Sequence, residues 1–280
     1  MDRITTPTAD RQVTIADLSF LKPQDSKPVF HSQAFTGGPA RFFFEMETHG
    51  MPVVDMRPDA GRFTLDREGF ALRRRPTAVA DLYDDAAVGS TYYDEIRALL
   101  AEEYGASQVA IFDATRRSDG GSGAANADGK RGVASRIHVD YTAKSGPQRA
   151  RDVLGDATVD RLLAKGARVI QVNVWRPITG PVRRSPLALA DATTVRQQDL
   201  VATDQVFPDR VGEIYHLHHD PAQRWFFAPE MTRDEVLLIK GWDSDATKAQ
   251  FTPHTAFALP DQDAAAARES IEVRTIVVIE

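Results

Sequence analysis

From Arg168 to the C-terminus the chain reads as a succession of short β-strand candidates with almost nothing helical between them. Runs rich in Val, Ile, Leu, Phe and Trp occur at Val169 to Trp175, Ile214 to His218, Arg224 to Ala228, Glu235 to Trp242, Phe251 to Phe257 and Ser270 to Ile279, separated by Pro, Gly and Asp turns. Strands need partners, and six in a row without crossover helices predict an antiparallel sandwich or barrel. In that architecture alternate side chains fill the interior or line a cavity at its mouth. A chain of 280 residues can build this as one large unit. The expectation is a single domain over residues 1–280, mainly β with flanking helices.

The region before this is more mixed. Residues 1–90 read as a wrapping segment of short strands, such as Ala40 to Met46, punctuated by Gly50, Pro52, Pro58 and Gly61. Residues 91–280 carry the helices and the β core. Ile96, Leu99, Leu100 and Tyr104 recur at helical spacing and Gly105 supplies a stop, predicting a helix over Tyr92 to Tyr104; a strand follows at Gln108 to Asp113. A second helix is predicted over Gln148 to Lys165, ended by Gly166. Between them, Arg116 to Gly132 (RRSDGGSGAANADGKRG) has no large apolar side chain to fix it by packing. It is expected to be a mobile surface loop, placed where it can close as a lid.

Charge and cysteine content remove whole classes of function. The 34 Lys+Arg and 40 Asp+Glu give a net charge of −6 with both signs dispersed, so no basic stripe invites nucleic acid. No run approaches the roughly 20 apolar residues of a membrane helix, and MDRITTPTADRQ has no apolar leader region, so a cytoplasmic protein without membrane contact is expected. With no cysteine, a disulfide scaffold, a thiolate nucleophile and cysteine-ligated metal are excluded. Any metal must use His, Asp or Glu.

His138-Val139-Asp140 is the strongest local signal for such a metal. On an extended strand residues i and i+2 share a face, so imidazole and carboxylate can converge on one ion. A third ligand from a distant strand would complete the two-His-one-carboxylate triad of non-heme Fe(II) sites, and His216, His218, His219 and His254 are the candidates. Downstream, residues 268, 270, 272 and 274 share one strand face, which lets Arg268 and Ser270 point together into a barrel. A buried guanidinium needs an anionic partner. The distal carboxylate of 2-oxoglutarate would supply it, gripped by Arg268 with a hydrogen bond from Ser270, while its 2-oxo acid end chelates the metal. Asn173 shares a face with Gln171 and Trp175 and is a candidate contact to cosubstrate or substrate. Arg176 is a candidate partner for an anionic ligand or for a structural acid.

In the order HxD, distant His, then RxS, the chain resembles the double-stranded β-helix (jelly-roll, cupin-like) Fe(II)/2-oxoglutarate oxygenases. Phe112 to Arg117 (FDATRR), Asn173 to Pro177 (NVWRP), Trp225 to Pro229, Asp234 to Ser244 (DEVLLIKGWDS) and Thr252 to Phe257 (TPHTAF) are similar to the microbial hydroxylase/desaturase group, which includes a gibberellin desaturase and the cephamycin-pathway hydroxylase component. The resemblance covers roughly residues 90 to 280. It implies His138, Asp140 and His254 as iron ligands, Arg268 with Ser270 as cosubstrate clamp, and Fe(II), 2-oxoglutarate and O2 as reactants, with release of succinate and CO2. The expected reaction is hydroxylation or desaturation of a small, secondary-metabolite-like molecule. The stretch from His254 to Arg268 is longer than in plant-type enzymes, which makes Arg274, on the same face, the substitute clamp. A non-redox metal- or small-molecule-binding β-barrel shares the strand pattern but requires no cation at the far end of the pocket. Oligomeric state is not set by the sequence.

Overall fold

The computed structural model describes residues 12–121, 123–126 and 129–280. Two facing sheets make up most of it. The smaller runs Phe70–Arg74, Glu235–Asp243, Arg168–Pro177, Glu269–Ile279, Gln108–Ser118, antiparallel throughout. The larger, ten-stranded and curled, has His254–Ala256, His138–Val139 and Val211–Leu217 as consecutive neighbours near its middle. This is a mainly β jelly roll with few helices, as the strand succession predicts.

Alternation along the central strand Arg168–Pro177 explains how the layers stack. Ile170, Val172 and Val174 face outward and are buried by Ile96, Leu99 and Leu100 of the helix Tyr93–Tyr104. Each such side chain contributes about 1.5–3 kcal/mol by leaving water. Trp175, one step out of phase, faces inward and packs with Leu187, Leu189 and Ala256 of the large sheet. Asn173 shares that inner face, which places it among the functional side chains.

Four expectations need correction. Residues 13–90 are not a wrapper: Val13–Leu21 and Met46–Asp55 pair along nine residues inside the large sheet, and Phe70–Arg74 is a strand of the small one. Gly50 and Pro52 lie within Met46–Asp55, and Pro52 stands just before the stretch bonded on both sides, so its missing N–H breaks only an edge. The strand expected at Ala40 to Met46 shrinks to Arg41–Phe42. The helix over Gln148 to Lys165 is two, Ser145–Leu154 and Asp156–Ala164, because Gly155 adopts φ +84°, ψ 141°.

The Arg116 to Gly132 run is not a structureless loop. Arg116 to Ser118 complete the strand Gln108–Ser118, and Ala124–Asn126 pairs with Gly129–Arg131 in a small hairpin. The Asn126 side chain ties this hairpin to the strand, accepting from the Arg116 N–H at 2.7 Å and donating to the Arg116 carbonyl at 2.9 Å. Backbone pairing thus supplies what apolar packing does not; Ser122, Ala127 and Asp128 lie outside the described residues.

Candidate functional site

The strand His138–Val139 pairs with His254–Ala256 so that His138 and His254 stand directly opposite one another. Direct cross-strand partners project to one face, and the ring centroids are 4.6 Å apart. Asp140, two residues on, turns to the same point: one donor atom from each of His138, Asp140 and His254 lies within 4.8 Å of the others. His138 Nε2 and Asp140 Oδ1 are 3.5 Å apart.

Hydrogen bonds fix which atoms face inward. Each imidazole gives its Nδ1–H to a carbonyl two residues earlier on its own strand, His138 to Arg136 at 2.9 Å and His254 to Thr252 at 3.0 Å. The Nε2 lone pairs are therefore left for a ligand. Burial, reinforced by the neighbouring His138, depresses His254 to about 4, so the ring is neutral. Burial opposes ionisation of Asp140, but Arg274 and the two imidazoles hold its carboxyl well below the usual range. Asp140 Oδ2 accepts from Asn173 Nδ2 at 2.7 Å and Arg274 Nε at 3.0 Å, leaving Oδ1 toward the histidines. Two imidazoles and one carboxylate, all pre-oriented, fit the donor set of a non-heme Fe(II) site.

A narrow pocket leads from this cluster to Arg268. It is lined by His138 and His254 of the cluster, by Trp175 and Leu187, and by Arg268 with Glu272. Arg268 is 2% exposed and donates through one terminal nitrogen to the Ser185 carbonyl at 2.8 Å, while its Nε is buried without a partner among the described residues. Its guanidinium lies over the Trp175 ring at 5.5 Å. Burial, then the nearby Arg117 charge, pulls Arg268 down to about 10. A guanidinium this dry and this poorly paired fits an anionic ligand. Ser270 is buried on the same strand face, its hydroxyl 3.5 Å from the Arg117 carbonyl.

The other expected residues divide. Asn173 reaches the site but holds Asp140, and its own Oδ1 has no partner among the described residues. Arg274 is not a spare clamp, because Asp140, Asp113 and Glu272 already share its guanidinium. Arg176 is not brought to the pocket: being one position out of phase with Trp175, it projects to the helical side, where Nε donates to Tyr92 Oη at 3.0 Å and a terminal nitrogen to the Arg233 carbonyl. His216 pairs with His138 on the side away from His254 but bonds Thr203 Oγ1 at 2.9 Å, and His219 stacks on His49 at 3.7 Å. Arg117, which lines both the narrow pocket and the wide cavity beside it, was readable only as part of the FDATRR motif.

A jelly roll whose adjacent central strands bring His, Asp and His to one point, with a buried arginine beyond, has the architecture of a non-heme iron oxygenase. The comparisons agree. A family model described as an oxidoreductase/YMDC permease-like domain matches residues 18–278. The hydroxylase/desaturase efuI of Hormonema carpetanum is 32% identical over 256 residues, covering 83% of this chain and 85% of that protein. The Fe(II)/2-oxoglutarate-dependent dioxygenase nvfI of Aspergillus novofumigatus is 28% identical over 247 residues, 84% of each chain. A solved structure of the iron and alpha-ketoglutarate-dependent endoperoxidase NvfI superposes with a TM-score of 0.81 at 25% identity, covering 95% of this chain and 97% of that one. The chain belongs to the hydroxylase/desaturase family of Fe(II)/2-oxoglutarate-dependent dioxygenases. It is an oxygenase of small molecules using Fe(II), 2-oxoglutarate and O2, and the non-redox binding barrel is not supported. Among the described residues no helix is long and apolar enough to cross a membrane.

Proposed function

We infer that His138, Asp140 and His254 hold the iron and that Arg268, assisted by Ser270, takes the distal carboxylate of 2-oxoglutarate. The observation that carries this is the narrow pocket lined both by His138 and His254 of the three-donor cluster and by a buried, under-paired guanidinium. Iron bound there supplies, with 2-oxoglutarate and O2, oxidative decarboxylation to succinate and CO2 and removal of hydrogen from a substrate carbon. The chain does the rest. The Arg136 and Thr252 carbonyls hold both rings in the ligating tautomer, and Asn173 and Arg274 keep Asp140 ionised and aimed. Trp175 and Leu187 exclude water from the cosubstrate pocket.

The wide cavity on the other side of His138 and Asp140, about 1310 Å³, receives the substrate. Its size suits a multi-ring, secondary-metabolite-like molecule. The dispersed charges and net −6 favour a small molecule over nucleic acid as partner. Anaerobic reconstitution followed by iron analysis tests the ligand set. His254→Ala and Asp140→Ala should lose bound Fe(II), whereas His216→Ala and His219→Ala retain it; the reverse pattern overturns the assignment.

A further inference from the structure

The wide cavity is lined by Arg136, a cation that no acid among the described residues pairs. Arg136 stands two residues before His138, on the segment leading into the metal-site strand, and its guanidinium carbon lies 3.7 Å from the centroid of the Phe42 ring. It lines the cavity, is half-buried, and has no acidic partner among the described residues. Several neighbouring wall cations differ in this respect. Lys27 bridges Asp204 and Glu213, Arg149 faces Asp152, Arg210 faces Asp209, and Arg274 is shared by three acids. Of the others without an ion pair among the described residues, Lys144 is exposed and stays hydrated, and Arg117 donates to the Gly132 carbonyl at 3.0 Å.

The surroundings of Arg136 are aromatic. Phe42 stacks on Phe30 at 5.2 Å and 17°, Phe44 packs edge-on to both, and the His216 ring closes the group against Phe44 at 4.9 Å. His216 is opposite His138 in the sheet, so this aromatic group abuts the proposed iron centre. Stacking holds the flat face of the guanidinium and leaves its N–H edge for a ligand.

We propose that the substrate is an apolar carboxylate, its ring or chain body lying against Phe30 and Phe42 and its carboxylate taken by the N–H edge of Arg136. This rests on the reading of the wide cavity as the substrate site. The planar edge of a guanidinium matches a carboxylate bidentately. Arg136 is thereby a specificity-determining residue, setting which end of the substrate enters beside the metal.

The test uses holoenzyme held anaerobically with Fe(II) and saturating 2-oxoglutarate, which fills the Arg268 pocket. The probes are 1-pyrenebutanoate and its neutral amide, titrated by fluorescence. Wild-type enzyme should bind the carboxylate about tenfold or more tighter than the amide, the size of one charge-assisted contact. Arg136→Gln should erase that preference while leaving the amide's affinity unchanged, and Arg136→Lys should restore part of it. The charge-transfer absorption of the Fe(II)·2-oxoglutarate complex reports the cofactor site separately. If that band fails to form in wild-type enzyme, the reading of the iron and cosubstrate pocket fails. If it forms but neither probe binds, or the two bind alike, or Arg136→Gln keeps the preference, the anionic-substrate inference is overturned and the cofactor reading stands.

Discussion

Replacing Arg268 with Met should separate the two consequences of a buried, under-paired cation. The drop from 12.5 to about 10 in the ligand-free protein corresponds to roughly 3 kcal/mol of disfavour for the charged form, at about 1.36 kcal/mol per tenfold in proton affinity. At neutral pH, below both values, that disfavour is present in full. Met fills a similar volume without the charge, and even after about 1–3 kcal/mol for the Ser185 carbonyl left without its donor, apo-Arg268→Met should unfold at the same temperature as wild type or slightly higher. Ligand linkage should move the other way. At 2-oxoglutarate 100 times the wild-type Kd, the holoenzyme gains about 2.7 kcal/mol. Losing a charge-assisted bidentate contact in a dry pocket costs about 2 to 5 kcal/mol, at least ~30-fold in Kd. At the same concentration the variant then gains no more than about 0.9 kcal/mol. For a chain of this length the shift in Tm should shrink from about 5 °C to about 1–2 °C. Anaerobic thermal unfolding of the Fe(II) forms, with and without 2-oxoglutarate, measures both arms. A variant that keeps the full cosubstrate shift would refute the clamp, and an apo form several kcal/mol less stable would refute the view that Arg268 is under-paired.

Arg176→Met should behave oppositely: it leaves the Tyr92 hydroxyl and the Arg233 carbonyl without their buried donor, so stability falls by about 1–3 kcal/mol in denaturant titration while the 2-oxoglutarate KM is unchanged. Gly146→Ala places a Cβ 2.5 Å from Trp242 Cγ, an overpacking that should cost about 1–3 kcal/mol in the same titration. Asp66 is held down at about 2: burial works against this, but hydrogen bonds from Arg168 and Lys240 outweigh it. Its contribution to stability is therefore complete above its ordinary value of 3.8 and lost as pH falls through about 2. Asp66→Asn should flatten that part of the Tm-versus-pH curve, and an unchanged acid limb would show that the Arg168–Lys240 pairing does not stabilise the fold.

Much of this was legible from alternation. Period two placed Asp140 beside His138, Asn173 beside Trp175, and Arg268, Ser270 and Arg274 on one face; the same rule puts Arg176 on the opposite face, where it is found. The identity of the third ligand was not readable from residue types, because His254 is 116 positions from His138 and only the sheet register brings them opposite, while His216 is just as close across the other edge. Local rules failed where tertiary pairing overrode them. Gly50 and Pro52 look like punctuation but lie in a strand held by nine cross-strand partners. The Gly-rich stretch after Arg116 looked free because it lacks apolar side chains, yet it is secured by backbone pairing and by one asparagine. That Arg274 would be consumed by three acids required knowing what faces it across the sheets.

The strands that carry the two imidazoles are only two and three residues long, His138–Val139 and His254–Ala256. Segments this short have little of their own to define alignment, and a slip of one position would turn His254 to the opposite face of the sheet. With iron held as proposed, the ion bonds only the aligned form, so its binding energy is also alignment energy for the middle of the large sheet. Apo-enzyme and holoenzyme should then differ most in amide exchange along residues 138–140 and 254–256, with the metal acting as a stitch between two pieces of backbone that the chain brings together but barely fastens.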